Sequence, residues 1–405
     1  MIGIWGLGYI GLTTAVAFAQ QGVRVVCYDT DRKVLENIQK GIITQPNLEF
    51  WIGISLKDLV DDGLISVYFE SELMNDCDAH FVCVPTEKDG KPTNEFVDDV
   101  MEKIPHGCLV IIESTLIPGT AQKYAEKHDV VVAPRRDFFE SPEKNIRTLP
   151  RVFAGSSPEV SQKAQKILEI VSDNLIEAPD LISAELTKCV ENSLLYLPVV
   201  YAMQLTRAYS HVDIRKVLQL CATHWRIPLY YPSAGCGGYC IPTSSLYVQK
   251  GTSINISLLK DATSWEHCHT MAIGQQLNRY GTVGILGICY KPDLKVHKGS
   301  PVIKIVDELQ KPFVHDPYYS HDEIARIFSP KIVQPITYPD DLIHCDAILV
   351  ATAHKRYIRT TTEELLGCLN KCKFILDNTG AWVRRRDLFK DIGIEYHIIG
   401  DKNWY

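Results

Sequence analysis

The stretch Ile2-Gly3-Ile4-Trp5-Gly6-Leu7-Gly8-Tyr9-Ile10-Gly11-Leu12 decides the fold. A short apolar β-rich run enters a GxGxxG turn directly, and the apolar pattern Leu12–Ala19 that follows is helical. Strand, glycine turn and helix in that order are the start of a dinucleotide-binding βαβ unit. Gly6 permits the tight turn, Gly8 lets the backbone approach a pyrophosphate, and Gly11 lets the helix pack on the strand. The free N–H groups at the helix start then face the phosphates. Tyr9 and Ile10 complete the loop. At the end of the next strand stands Asp29, about 20 residues on, where a carboxylate accepts the ribose hydroxyls and repels a 2′-phosphate, so NAD is favoured over NADP. Asp31 is a turn residue, and Lys33 either reaches the phosphates or lies on a solvated helix face.

Outward from this point the first 150 residues alternate strand-like runs, Val23–Tyr28, His80–Val84, Cys108–Ile112 and Val130–Ala133, with amphipathic segments, which predicts a parallel sheet. Two of these strands end in small polar groups, Pro85-Thr86 and Ser114-Thr115. Ligands of open α/β sheets bind beyond the carboxyl ends of strands, so both places are expected beside a nicotinamide. From about Ser183 to Leu220 the pattern is helical for longer than anything before it, with a kink expected at Pro198. A Gly/Pro-rich loop, YYPSAGCGGYCIPTSS, follows. Strand-like runs then return at Thr282–Leu286, Phe313–His315, Asp346–Ala351 and Phe374–Asp377. The expected fold class is α/β, with two Rossmann-like doubly wound domains joined by a long central helix. The expected boundaries are 1–178, 179–272 and 273–405.

At 405 residues the chain suits two domains, and its 46% apolar and 22% charged residues are ordinary globular usage. The net charge of −7 without a Lys/Arg-rich run argues against a nucleic-acid partner but leaves room for a local phosphate pocket. No apolar run approaches the roughly 18 residues a membrane span needs. The first strand begins at once, without the charged front and cleavage site of a signal peptide. Thirteen cysteines with no CxxC pair and no zinc-type spacing fit reduced thiols in a cytoplasmic protein, with no metal site expected.

The ordered set GLGYIGL (6–12), YDTD (28–31), VPT (84–86), ESTLIPGT (113–120), AELTKCVEN (184–192), GGYCIP (237–242), LGICYKPD (286–293) and GSP (299–301) resembles the UDP-glucose/GDP-mannose dehydrogenase family over essentially the whole chain. ESTLIPGT, the loop before Cys240, VHDPYY and ATAHKRY are most similar to its UDP-N-acetylhexosamine branch. The resemblance implies an N-terminal NAD domain, a helix that builds a homodimer, and a C-terminal domain that holds the nucleotide of a sugar substrate, with UDP favoured. It also implies NAD-dependent oxidation of the C6 alcohol to a carboxylate through a thiohemiacetal and a thioester on Cys240. Lys188 and Asn192, spaced i, i+4, match residues that hold the oxyanion, and Thr115 matches one that positions water or the substrate hydroxyl. Lys291 is the expected phosphate ligand. Arg135, Arg136, Tyr231, Gly237, Ser244 and Lys298, with Lys188 and Asn192, complete the expected substrate contacts. Cys236 is the competing nucleophile.

Several positions depart from the family pattern. Ser244 stands where an aspartate follows the nucleophile, Arg135 where a glutamate is usual, and Thr379 where an arginine is usual. In the KxxxxDxR run Val296 and Lys298 replace Asp and Arg. Neutral drift is one account. Another is a more anionic substrate drawn to Arg135, and a third is slow thioester hydrolysis for want of a carboxylate base. Two further functions remain open: a two-electron dehydrogenase, and a non-catalytic nucleotide-sugar-binding protein.

Overall fold

The computed structural model describes residues 1–405 apart from Pro46, Glu140 and Tyr239. The chain divides into two compact units, residues 1–191 with 246–255, and residues 192–245 with 256–405.

The first unit is built on an eight-stranded sheet. Its spatial order is Leu175–Glu177, Arg151–Gly155, Asp129–Val132, Leu109–Ile112, Ala79–Val82, Ile2–Trp5, Val25–Tyr28 and Ile65–Val67. Every neighbouring pair is parallel except Asp129–Val132 with Arg151–Gly155. Ile2 and Ile4 join the apolar cluster on one face and Trp5 the cluster on the other, as period-two alternation requires of a strand covered on both sides. From Ile2–Trp5 the chain moves outward to Val25–Tyr28 and Ile65–Val67, then returns to pair Ala79–Val82 on the opposite edge. That reversal opens a crevice at the carboxyl ends of Ile2–Trp5 and Ala79–Val82.

The second unit repeats the plan with six parallel strands, ordered Gln334–Pro335, Pro312–His315, Val283–Leu286, Ala347–Val350, Phe374–Asp377 and Glu395–Ile398. Val283 and Ile285 face one apolar cluster and Leu286 the other, and the reversal falls at Val283–Leu286.

The long helical pattern resolves into two helices. One runs through Pro198 from Leu181 to Ala208, roughly 42 Å at 1.5 Å per residue. The other, Ile214–Cys221, starts afresh because Asp213 caps it by accepting the Lys216 N–H at 2.9 Å. Cys240–Lys250 and Ser257–Asn278 follow. Among the described residues no helix is long and apolar enough to cross a membrane.

Candidate active site

The geometry of the turn itself calls for glycine at two of its three positions, Gly6 and Gly11. Gly6 has φ +87°, and a Cβ on Gly11 would lie 1.8 Å from the Gly6 carbonyl oxygen, so the helix Tyr9–Ala19 can start here only with glycine. A Cβ on Gly8 would meet nothing within 4 Å, which leaves open space beside the helix N-terminus. Asp29 is tied to this turn. Its Oδ2 accepts the Leu7 N–H at 2.7 Å and its Oδ1 the Asp31 N–H at 2.9 Å, leaving further lone pairs for ribose hydroxyls. Asp31 is the N-cap of the helix Arg32–Gln39, and Lys33 is exposed on its first turn. Gln45, not anticipated from the sequence, donates to the Leu7 carbonyl at 2.8 Å and braces the same turn. These residues fit a bound dinucleotide.

At the neighbouring strand ends, Pro85 is exposed and Thr86 is buried. The Tyr247 hydroxyl donates to the Thr86 carbonyl at 2.5 Å and lies 2.8 Å from its Oγ1, so the last turns of the helix Cys240–Lys250 are moored to this strand end. Thr115 is half-buried beside Ser114, whose Oγ donates to the Val84 carbonyl at 2.7 Å. The turn after Thr115 anchors the long helix, since the Glu185 carboxylate accepts Gly119 N–H at 2.6 Å and Ala121 N–H at 2.8 Å. Glu185 lies one turn before Lys188, which is half-buried.

Arg135, expected at an anion site, has its guanidinium buried and engaged inside the protein. Its side chain is 2% exposed. Nε and Nη2 bind Asp137 bidentately at 2.7 and 2.8 Å, and Nη1 donates to Thr14 and lies 3.6 Å from Glu113. Glu113 also pairs with buried Arg151 and accepts from Thr14 and Cys83. Two carboxylates thus balance two guanidiniums in a water-poor interior, so the charge change at Arg135 is compensated inside the protein. Arg136 is half-buried and engaged too, with Nε 3.2 Å from Glu191 Oε2, Nη2 on Glu191 Oε1, and Nη1 on the Pro150 carbonyl at 2.8 Å.

In the second unit the loop before Cys240 rests on the later motifs. A Cβ on Gly237 would come within 2.4 Å of Tyr290 Cβ, and Gly238, at φ +88°, donates its N–H to the Gly299 carbonyl at 3.0 Å. The GGYC, CYKPD and GSP segments therefore meet; Tyr239 within GGYC lies outside the described residues. Cys240 is exposed at the first position of its helix. Ser244 is 2% exposed, donates to the Cys240 carbonyl at 2.5 Å and accepts from Asn192 Nδ2 at 2.9 Å. Ser244 is thus a brace between Asn192 and the start of the cysteine helix. Burial, reinforced by Glu266, pushes the Cys236 thiol well up, and its N–H is held by Glu266 at 3.1 Å. Cys240 is the more exposed sulfur of the loop.

Among the remaining expected contacts, Lys291 is half-buried and Lys298 exposed, in the segment that follows Tyr290. Tyr231 is turned toward the helix Ile214–Cys221, with its hydroxyl 3.1 Å from Gln219 Nε2 and its ring 4.2 Å beneath the Arg215 guanidinium. Thr379 lies in a turn whose N–H groups converge on Asp377, those of Thr379, Gly380 and Ala381 on Oδ1 and that of Trp382 on Oδ2. The Val296 carbonyl accepts the Tyr290 N–H at 3.2 Å.

Cys289, Asp316 and His354 place their donor atoms within 4.8 Å of one another, close enough to share an ion. Their hydrogen bonds argue against it. The Asp293 N–H donates to His354 Nδ1 at 2.8 Å, which puts the ring proton on Nε2, aimed at Asp316 Oδ2 at 3.2 Å. Both ring nitrogens are thereby engaged, Nδ1 as acceptor and Nε2 as donor. Asp316 also accepts the Ile288 and Tyr318 N–H groups, so the cluster stitches CYKPD to HDPYY and TAHKR.

Three parts of the chain match models of one family, the UDP-glucose/GDP-mannose dehydrogenase family: its NAD-binding domain over residues 1–170, its central domain over 182–264 and its UDP-binding domain over 284–384. The chain belongs to this family. It is an NAD-dependent nucleotide-sugar dehydrogenase, an oxidoreductase that converts a sugar alcohol to a uronate. Among curated proteins it is 26% identical to the UDP-N-acetyl-D-mannosamine dehydrogenase of Pyrococcus horikoshii, over 93% of this chain and 94% of that one. It is also 26% identical to the enzyme of the same name from Methanocaldococcus jannaschii, over 98% and 95%. Among solved structures, the Pyrococcus horikoshii UDP-D-ManNAc dehydrogenase superposes with a TM-score of 0.84 at 22% identity over 100% of both chains. A UDP-glucose dehydrogenase from Pyrobaculum islandicum gives 0.80 at 22% identity, over 98% of this chain and 97% of that one. In this family frame the glycine turn with Asp29 lies in the NAD-binding domain, and the Tyr290–Lys298 segment lies in the UDP-binding domain.

Proposed function

We propose that this dehydrogenase oxidises a UDP-N-acetylhexosamine, UDP-N-acetylmannosamine foremost, with Cys240 as nucleophile. The observation that carries the assignment of Cys240 is its exposure at the first position of a helix, while Cys236, the other thiol of the loop, is half-buried and its pKa is raised by desolvation and by Glu266. The names of the curated relatives support the sugar. Bound NAD supplies the hydride acceptor for each of two oxidations, held by Gly6, Gly8, Gly11 and Asp29. The protein's own part begins when Thr115 orients the C6 hydroxyl and a water takes its proton. Cys240 sulfur then bonds to the aldehyde carbon, and the resulting oxyanion is met by the Lys188 ammonium and Asn192 amide. After the second oxidation, water attacks the thioester carbon, the C–S bond breaks and the Cys240 thiol leaves, giving the carboxylate. Arg135 takes no part, and the uncompensated anion it was expected to attract is not required of the substrate.

The protein acts as a homodimer in the cytoplasm in this proposal. Val190, Leu194 and Tyr201 fall within about 40° of one another around the long helix, at 100° per residue, and are 40%, 61% and 61% exposed, a stripe suited to a second copy. The deciding experiment counts NADH formed per UDP-sugar consumed over a panel of UDP-hexoses and UDP-N-acetylhexosamines. Two per UDP-N-acetylmannosamine, with much slower turnover of UDP-glucose, is expected. One per sugar would point to a two-electron enzyme, and none with retained binding to a non-catalytic protein.

A further inference from the structure

Lys188 is flanked in its helix by two carboxylates, Glu185 at i−3 and Glu191 at i+3, both at the spacing where a helical carboxylate captures a lysine. Neither does so. Glu185 is occupied by the N–H groups of Gly119 and Ala121, and Glu191 by the Arg136 guanidinium through two contacts. Among the described residues Lys188 takes part in no ion pair, although the helix offers it one on either side. The Arg136–Glu191 pair is half-buried, with side chains 26% and 33% exposed, and Arg136 is itself fixed by the Pro150 carbonyl, so the pairing is held by the loop that follows Asp129–Val132.

We propose that Arg136 is a positioning residue for the oxidation: by sequestering Glu191 it keeps the Lys188 ammonium unpaired and available to the oxyanion formed at the reacting carbon. This rests on the assignment of Lys188 to the oxyanion. A lysine engaged by a neighbouring carboxylate has its charge partly cancelled and its N–H donors turned aside, so it stabilises a developing negative charge less while hardly affecting how the uncharged sugar binds. The signature of the role is therefore a fall in kcat at nearly constant KM. A purely structural contact between loop and helix would not be repaired by removing Glu191, because the hold of Arg136 on that side chain and on Pro150 would still be missing.

The test compares Arg136→Gln with Arg136→Gln/Glu191→Gln, melting temperatures being recorded for each. The single variant is expected to lose about tenfold in kcat, part of the loss that removal of an oxyanion donor gives, with KM for the UDP-sugar within about threefold. The double variant, in which no carboxylate competes for Lys188, is expected to return to within about threefold of the unaltered kcat. Should Arg136→Gln not fold, Arg136→Lys keeps the charge with fewer contacts, and adding Glu191→Gln to it is expected to raise kcat. A full kcat in Arg136→Gln, or no gain on adding Glu191→Gln in either background, overturns the inference. Lys188→Met separates the two levels: if it turns over normally, the assignment of Lys188 itself is wrong, whereas an inactive Lys188→Met beside an unaffected Arg136→Gln refutes only the role of Arg136.

Discussion

Asn192 Nδ2 donates to Ser244 Oγ at 2.9 Å, and that same oxygen donates its proton to the Cys240 carbonyl at 2.5 Å. The hydroxyl is committed on both sides, so it offers no base for thioester hydrolysis at the place where the family carries an aspartate. Hydrolysis is therefore expected to be the slow step, seen as a burst of NADH in the first turnover and an acyl adduct on Cys240 by intact-mass spectrometry. Linear NADH release from the first milliseconds would refute it. Ser244→Asp would set a carboxylate against a carbonyl oxygen in a buried position, and a lower melting temperature rather than faster turnover is expected.

Arg135 gives a second outcome that depends on burial. Converting it to the family's usual glutamate would crowd three carboxylates, Glu113, Asp137 and the new one, around Arg151 alone. Breaking a buried pair typically costs about 3–5 kcal/mol, and Arg135→Met is expected to fall in that range by urea denaturation. Arg135→Glu is expected to be worse. A variant with unchanged stability would mean that the Asp137 contact contributes nothing.

The difference between the legible and the illegible follows from sequence distance. Ile2–Trp5, the glycine turn and Asp29 are local, and each was placed by spacing alone. Leu175–Glu177, Ile65–Val67, Gln334–Pro335 and Glu395–Ile398 are not legible in the sequence because they are the edge strands of the two sheets and carry no marked apolar run. The helix break before Ile214 hung on one capping side chain, Asp213. The burial of Arg135 is not legible in the sequence: Asp137 stands two residues away, but Thr14 and Glu113, which complete its surroundings, lie far away in the chain and only folding brings them to it. Glu185 and Glu191 stood in the motif beside Lys188, but no spacing rule says which carboxylate is already taken.

Asp29 permits a test of cofactor choice. In the proposed NAD site a 2′-phosphate would bring roughly two negative charges toward the Asp29 carboxylate, and Asp29→Ser would remove that repulsion at the cost of two backbone contacts, to Leu7 and Asp31. The ratio of kcat/KM for NADP over NAD is expected to rise by at least about tenfold, since about 1.4 kcal/mol of relieved repulsion suffices. An unchanged ratio would show that another group excludes the phosphate.

Stability should fall in mild acid because of buried neutral histidines. Burial, aided by the Arg207 charge, lowers the pKa of His269 to about 4, and burial likewise lowers His80 and His315 to about 4. An unfolded histidine titrates near 6.5, so between about pH 6.5 and 4 the unfolded chain binds protons that the folded one refuses, and stability drops as pH falls through that window. For His269 alone the loss between pH 7 and pH 5 is about 2 kcal/mol. His269→Gln, which can still donate to the Ser233 carbonyl that His269 Nε2 contacts at 3.0 Å, is expected to flatten the difference between urea midpoints at the two pH values. An equally steep dependence in that variant would exclude His269 as the source.

The last expectation separates the two cysteines of the loop. An exposed thiol is open to the reagent, whereas Cys236 is half-buried and desolvation with the Glu266 charge disfavours its anion. Iodoacetamide at neutral pH is expected to alkylate Cys240 and leave Cys236 untouched, with Cys221 and Cys268, also exposed, labelled in parallel. Peptide mass spectrometry assigns the sites, and loss of turnover should follow the modification of Cys240 alone, protected by the UDP-sugar. Cys240→Ser is expected to retain binding of the sugar while acid formation falls at least about a thousandfold, since a serine hydroxyl is scarcely ionised near neutral pH and cannot form the thioester. With the aldehyde trapped by hydroxylamine, that variant should give one NADH per sugar where the unaltered enzyme gives two. If Cys240→Ser makes the carboxylate at the original rate, the nucleophile lies elsewhere, and half-buried Cys236 beside Glu266 is the next thiol of the loop to test.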